Sequence, residues 1–207
     1  MMVKAKEELL DSMLDVNSNA NMISFENVHQ NSIVGIVDVV NSTNVISKMT
    51  QEQACQYYSV FHNVLSYVIK NHGASVVKNI GDGILFYFPK LDSTAALSCS
   101  VELLNASKMI NDIFKKQKIP QIQYRISLDY GPLMIAKYKT SSCKDIFGPT
   151  VNLCSKINRI ASPNQIVVGS DMFEIIKKSK HFVFKQITQF HSAIKQHYPV
   201  YSVNSMT

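Results

Sequence analysis

No run of apolar residues in the 207-residue chain approaches the roughly 20 needed to span a bilayer. Its opening, MMVKAKEELLDSMLDV, also lacks the apolar core of a secretory signal. Four cysteines, Cys55, Cys99, Cys143 and Cys154, form no CxxC pair and have no histidine at metal-ligand spacing. That pattern argues against a zinc site or a disulfide framework, and reduced thiols in a cytoplasm are the default. Internal repeats and low-complexity tracts are missing as well. Charge is not concentrated either. The net charge is +6, but the densest basic spots, KKQK from Lys115 and KKSK from Lys177, fall where helices should end. Cations there complement the helix macrodipole and stay solvated. The surplus still permits an anionic partner such as a nucleic acid, a membrane surface or a nucleotide.

What is present is enough apolar residue, 46%, to bury one good-sized core. From about Val3 to Val16, Leu9, Leu10, Met13 and Leu14 line one side of a short amphipathic helix. NSNAN then breaks it, so residues 1–30 read as a helix and linker and residues 31–207 as the main domain. That domain opens with the strand IVGIVDVV. A helix follows over TQEQACQYYSVFHNVLSYVIKNHG, where Thr50 and Gln53 fit a capping box and Gly73 closes the helix. ASVVKNIGDGILFYFPK is two β-rich runs around an Asp-Gly turn. Asp92 can cap the long helix that follows. IQYRISLDYGPLMIAKYK supplies two more strands around Gly131-Pro132, and GPTVNLCSKINRIA is a helix with a Gly-Pro start. NQIVVGS, a short helix, HFVFKQI and YPVYSV complete the chain. The order is that of an α/β (α+β) fold with a ferredoxin-like βαββαβ core and a C-terminal extension.

Two carboxylates stand out. Asp38 ends an apolar run, IVGIVDVVNST, and Asp82 sits in NIGDGI. Taken alone, Asp38 reads as a cap past a strand end and Asp82 as an ordinary turn residue. In a βαββαβ sheet, however, the first and third strands are neighbours, so the end of the first approaches the turn before the third. Two like charges side by side are unfavourable without a cation. A pair of Mg²⁺ or Mn²⁺ ions accounts for them, since such ions take carboxylate oxygens and keep positions open for phosphates.

IVGIVDVVNST, VVKNIGDGILFYF, RISLDYGPLMIA and DIFGPTVNLCSKI resemble, in order and spacing, the signature segments of class III nucleotidyl cyclases, from about Ile33 to Val203. The resemblance implies a head-to-tail homodimer with shared active sites that converts a nucleoside triphosphate to a 3′,5′-cyclic monophosphate and pyrophosphate. It assigns Asp38 and Asp82 as ligands of two divalent cations, with Val39 lending a backbone carbonyl. Lys78 and Asp145 match the base-reading positions in their adenine-selective combination. A cation and a carboxylate complement the N1 acceptor and amino donor of adenine, whereas guanylate-producing relatives tend to carry Glu and Cys. Asn152 matches the residue that orients the ribose. Lys156 stands where the family usually places an arginine for the α-phosphate, and it brings charge without the planar fork. Arg159, one helical step along the same face, can reach in instead. Lys195 matches a lysine on the triphosphate tail. Asn41-Ser42 replaces a Gly-Phe that covers the metal loop.

These residues imply a cytoplasmic adenylate cyclase acting on ATP, with no nucleic acid partner and no membrane span. The Lys156 departure sustains a second reading, a catalytically weak or inactive cyclase-homology module that binds nucleotide and works by dimerising. An RNA-binding domain would show K/R-G-F/Y-G/A-F-V-x-F/Y on a central strand, and VKNIGDGILFYF does not. The loop of diguanylate cyclases is likewise absent from the Asp82 turn.

Overall fold

The structure, a computed structural model, describes residues 22–142, 144–191, 195 and 197–206. The helix expected near the N-terminus lies outside these. Strand β1 (Ile23–Val39) leads into a single turn of helix, α1 (Ser42–Ile46), and then α2 (Gln51–Asn71). The hairpin β2 (Ser75–Ile80) and β3 (Gly83–Phe88), helix α3 (Ser93–Lys116) and strand β4 (Tyr124–Tyr138) complete the core. The extension is β5 (Lys144–Phe147), α4 (Pro149–Asn158), β6 (Ile166–Gly169), α5 (Ser170–Ile176), β7 (Phe182–Phe190) and β8 (Tyr198–Ser205). All eight strands form one sheet ordered β2-β3-β1-β4-β6-β8-β7, with β5 on β4. Its first four members have the βαββαβ arrangement expected from the sequence, with β1 antiparallel to both β3 and β4.

Local signals set the helix ends. Thr50 Oγ1 accepts from the Gln53 amide at 3.2 Å, and Gln53 Oε1 accepts from the Thr50 amide at 3.0 Å. Gly73 leaves α2 with φ 78°, a left-handed conformation that favours glycine. Asp92 Oδ1 accepts from the Ala95 amide at 2.8 Å and starts α3. These caps satisfy amides that have no partner within their own helix.

The sheet is covered on both faces. One carries α2 and α3 over Ile33, Val37, Phe86, Phe88 and Ile126, and the other carries α4 over Val34, Ile36, Leu85 and Ile135. Each fully buried side chain of this size contributes about 1.5–3 kcal/mol. Phe86 needs a glycine opposite it. A Cβ on Gly35 would fall 2.1 Å from its ring.

Two turns differ from expectation. The strands read as separate around Gly131-Pro132 are one strand, because β1 is long enough to pair through both residues (Ser32↔Gly131, Asn31↔Pro132). The β2–β3 loop is Gly81-Asp82 rather than Asp82-Gly83, with Gly81 taking the positive φ of 56°. Among the described residues, no helix is long and apolar enough to cross a membrane.

Candidate active site

Alternation along β1 places Asp38 on the α4 face, beyond Val34 and Ile36. There it pairs with Gly83 on one side and Arg125 on the other. Arg125 donates from Nη2 at 2.8 Å and Nε at 3.2 Å to the same oxygen, Asp38 Oδ2. Its Nη1 reaches the Arg159 carbonyl at 3.5 Å. Asp38, Arg125, Ser155 and Arg159 line a pocket of about 340 Å³ together with Ile36 and Gly83. Gly83 is required there. A Cβ would stand 2.6 Å from the Val37 carbonyl oxygen and 3.5 Å from Asp38 Oδ1.

Asp82 arrives from the hairpin turn, held to the end of β1 by a hydrogen bond from the Val39 amide to its carbonyl at 3.2 Å. The first and third strands therefore bring Asp38 and Asp82 to one end of the sheet. The Asp82 side chain faces α2. Burial and then its negative charge raise the pKa of the Tyr57 phenol, and Tyr58 is shifted the same way for the same leading reason. Burial depresses His62, and Asp82 opposes that shift.

Asp82 Oδ1 is the one carboxylate oxygen among the described residues that is buried without a hydrogen-bond partner. Leaving a buried charge uncompensated is costly. A divalent cation offsets that cost, and Asp38, whose hydrogen bonds from Arg125 both fall on Oδ2, lies at the same sheet end. These carboxylate oxygens are of the kind a divalent cation takes, with Asp38 on the α4 side of this sheet end and Asp82 on the α2 side. No group of three or more His, Cys, Asp and Glu gathers into a cage among the described residues, so a cation held there would take most of its ligands from water and phosphate oxygens.

Lys78 and Asp145, expected from the sequence to read the base, also meet. Lys78, just past a bulge in β2, donates to Asp145 Oδ2 at 2.5 Å, and Asp145 Oδ1 accepts from the Ile146 amide at 2.8 Å. Asp145 is buried while Lys78 is half-exposed. Asn152, Lys156 and Arg159 are exposed along one side of α4 and its C-cap. Of the three, only Arg159 lines the Asp38 pocket. Lys195 goes elsewhere: it bonds both oxygens of Asp171 on α5, at 2.5 and 2.6 Å, and lies 5.5 Å from the Tyr198 ring.

Sequence reasoning assigned no role to Arg125, Asn158 or Asp129. Asn158 Nδ2 donates to the Ile36 carbonyl and to Ser127 Oγ, each at 3.1 Å, and fixes the end of α4 on the sheet. Asp129 is fully buried, and burial pushes its pKa up to about 7. Tyr198 Oη lies 2.7 and 2.6 Å from its two oxygens. A signal was available in RISLD, where the polar residues Arg125, Ser127 and Asp129 alternate with apolar ones and so share a face.

Residues 25–205 match the family described as the adenylate and guanylate cyclase catalytic domain. An adenylate cyclase of Streptomyces coelicolor is 24% identical over 155 residues, covering 75% of this chain and 36% of the relative. A receptor-type guanylate cyclase of Caenorhabditis briggsae is 25% identical over 146 residues, covering 68% of this chain and 12% of the relative. The chain thus spans about a third or less of the length of these relatives, and identity does not separate the two kinds. In fold, the chain is similar to the adenylyl cyclase CyaB from P. aeruginosa, with a TM-score of 0.78 at 16% identity over 89% of this chain and 97% of that one.

Proposed function

Because the chain belongs to the adenylate and guanylate cyclase catalytic domain family, we propose that it is an adenylate cyclase that converts ATP to 3′,5′-cyclic AMP and pyrophosphate. The observation that carries the choice of adenine is the contact between Lys78 and Asp145, 2.5 Å apart. A cation and a carboxylate presented together answer the N1 acceptor and amino donor of adenine, and guanine reverses that pattern.

In this reading Asp38, Asp82 and the Val39 carbonyl hold two divalent cations, Mg²⁺ or Mn²⁺. When bound, these polarise the α-phosphate, promote ionisation of the 3′-hydroxyl and neutralise charge on the leaving group. The 3′-oxygen attacks the α-phosphorus in line. The new 3′-O–P bond forms as the bond from the α-phosphorus to the bridging oxygen breaks, and pyrophosphate leaves. The protein's part is positioning and charge stabilisation. Asn152 orients the ribose, Lys156 and Arg159 supply positive charge to the α-phosphate, and Lys195, exchanging Asp171 for phosphate oxygens, holds the triphosphate tail. Arg125, beside Asp38 in the same pocket, adds a planar guanidinium suited to phosphate oxygens.

Asn152 and Lys156 are exposed and do not line the pocket that holds Asp38. A head-to-tail homodimer, with each site built from the metal end of one copy and the α4 face of the other, resolves that separation. The alternative, a nucleotide-binding module that acts by dimerising, draws on Lys156 alone, because a lysine cannot grip phosphate bidentately.

The test is cyclic nucleotide production from ATP or GTP with Mn²⁺, beside an Asp82→Ala control. Cyclic AMP from ATP that disappears in the control is the expected result. No product from either nucleotide, with the protein folded and dimeric, overturns the enzyme reading in favour of the module. Cyclic GMP as the main product overturns the choice of base.

A further inference from the structure

The two ends of α4 are pinned to different levels of the strands beneath it. At its start, Thr150 Oγ1 donates to the Pro132 carbonyl at 2.8 Å, and Pro132 pairs with Asn31. At its finish, Asn158 Nδ2 donates at 3.1 Å to the carbonyl of Ile36, two residues before Asp38. Seven residues separate Asn152 from Arg159, which is about 10 Å along a helix axis. The helix therefore holds Asn152 back from the carboxylate end of the sheet and delivers Arg159 to it.

Charge in the pocket around Asp38 does not balance. Its charged lining residues are Asp38, Arg125 and Arg159. Arg125 places two hydrogen bonds on Asp38 Oδ2 and neutralises that carboxylate. Arg159 is exposed, and its side chain makes no ion pair among the described residues. Its carbonyl accepts from Arg125 Nη1 at 3.5 Å. One guanidinium is thus left over in this pocket. A surplus guanidinium attracts an anion, and its planar fork suits phosphate oxygens better than an ammonium does. Lys156, one turn earlier on α4, is exposed and outside the pocket.

We propose that Arg159 binds the phosphate chain of the nucleotide from the metal half of the site, together with Asp38 and Arg125 of its own chain. It then serves the opposite active site from Asn152 and Lys156 of the same helix. The inference rests on the reading of the protein as a homodimeric cyclase with shared sites. It divides α4 between two sites: the exposed face completes the metal end of the other copy, and the C-cap completes its own.

The experiment is complementation between impaired copies. Full chains carrying two different affinity tags are co-expressed, and mixed dimers are isolated through both tags. Cyclic nucleotide output is measured with Mn²⁺ and whichever of ATP or GTP the wild type turns over. Arg159→Ala keeps the carbonyl that Arg125 uses and removes the guanidinium. As a homodimer it is expected to lose roughly tenfold to a hundredfold in activity, the usual range for a charged hydrogen bond, with its thermal midpoint in place. The control pair, Asp82→Ala with Asn152→Ala, is expected to recover about half of the wild-type output, one of its two sites being whole. Arg159→Ala is expected to recover equally with Asn152→Ala and to stay low with Asp82→Ala. Recovery with Asp82→Ala instead assigns Arg159 to the same site as Asn152 and overturns the proposal. Recovery with both partners or with neither, full activity in the Arg159→Ala homodimer, or a lowered midpoint overturns it as well. No product from wild type overturns the enzyme reading, and a control pair that stays inactive overturns the shared-site reading, each taking this inference with it.

Discussion

Replacing Asp129 by asparagine tests the most unusual ionisable group in the fold. Asp129 is fully buried in β4, accepts from the Tyr130 amide at 2.9 Å, and has Tyr198 Oη within 2.7 Å of both its oxygens. A hydroxyl has one proton to give, so the second short contact becomes a hydrogen bond when the carboxyl itself carries a proton. Burial, the dominant cause, raises its pKa from 3.8 to about 7. The sign follows. Between those values the folded state keeps a proton that the unfolded state has lost, so stability falls as pH rises and levels off above about 7. Roughly three pKa units at about 1.4 kcal/mol each give a loss on the order of 4 kcal/mol across that window. The amide introduced by Asp129→Asn imitates the protonated acid, accepting from Tyr130 and donating to Tyr198, and it does not titrate. Urea unfolding followed by circular dichroism from pH 5 to pH 8.5 should show the wild type losing stability with pH relative to Asp129→Asn. Contributions common to both proteins cancel in the difference. Parallel curves over the whole range refute the reasoning, because they require Asp129 to stay in one protonation state throughout.

Lys156→Arg restores the planar fork on an exposed helix face and should raise kcat several-fold with little change in thermal midpoint, read by cyclic AMP output and calorimetry. Lys78→Glu combined with Asp145→Cys should shift product from cyclic AMP toward cyclic GMP in a competition assay with equal ATP and GTP. Lys78→Glu alone sets a second carboxylate beside buried Asp145 and should cost stability without that gain. Gly83→Ala puts a methyl 2.6 Å from the Val37 carbonyl oxygen and should destabilise by about 1–3 kcal/mol, with cyclase activity falling more than the folded fraction measured by thermal melting.

What could be read in the sequence and what could not divides by the kind of contact. The caps at Thr50 and Asp92 involve partners three residues away, and local chemistry specifies them. The meeting of Asp38 with the Asp82 turn joins distant segments, yet the element order alone implies it, because β1 and β3 must be neighbours in a βαββαβ sheet. Side-chain partners across the sheet are harder. Arg125 and Asp38 are 87 residues apart, as Lys78 and Asp145 are 67 apart. The family resemblance singles out Lys78 and Asp145 but not the contact between them. The polar stripe of Arg125, Ser127 and Asp129 was visible, but alternation in a strand fits a solvent-facing edge as well as a buried one. Here α4 covers that face, so its polar groups had to find partners: Arg125 took Asp38, Ser127 took Asn158, and Asp129 took Tyr198. The misplaced turn has a similar origin. Gly81 and Gly83 flank Asp82, and the dipeptide rule favours Asp-Gly, but Gly83 is claimed by its contact with the Val37 carbonyl, leaving Gly81 to take the positive φ. The same displacement puts Asp82 in the loop itself, beside α2.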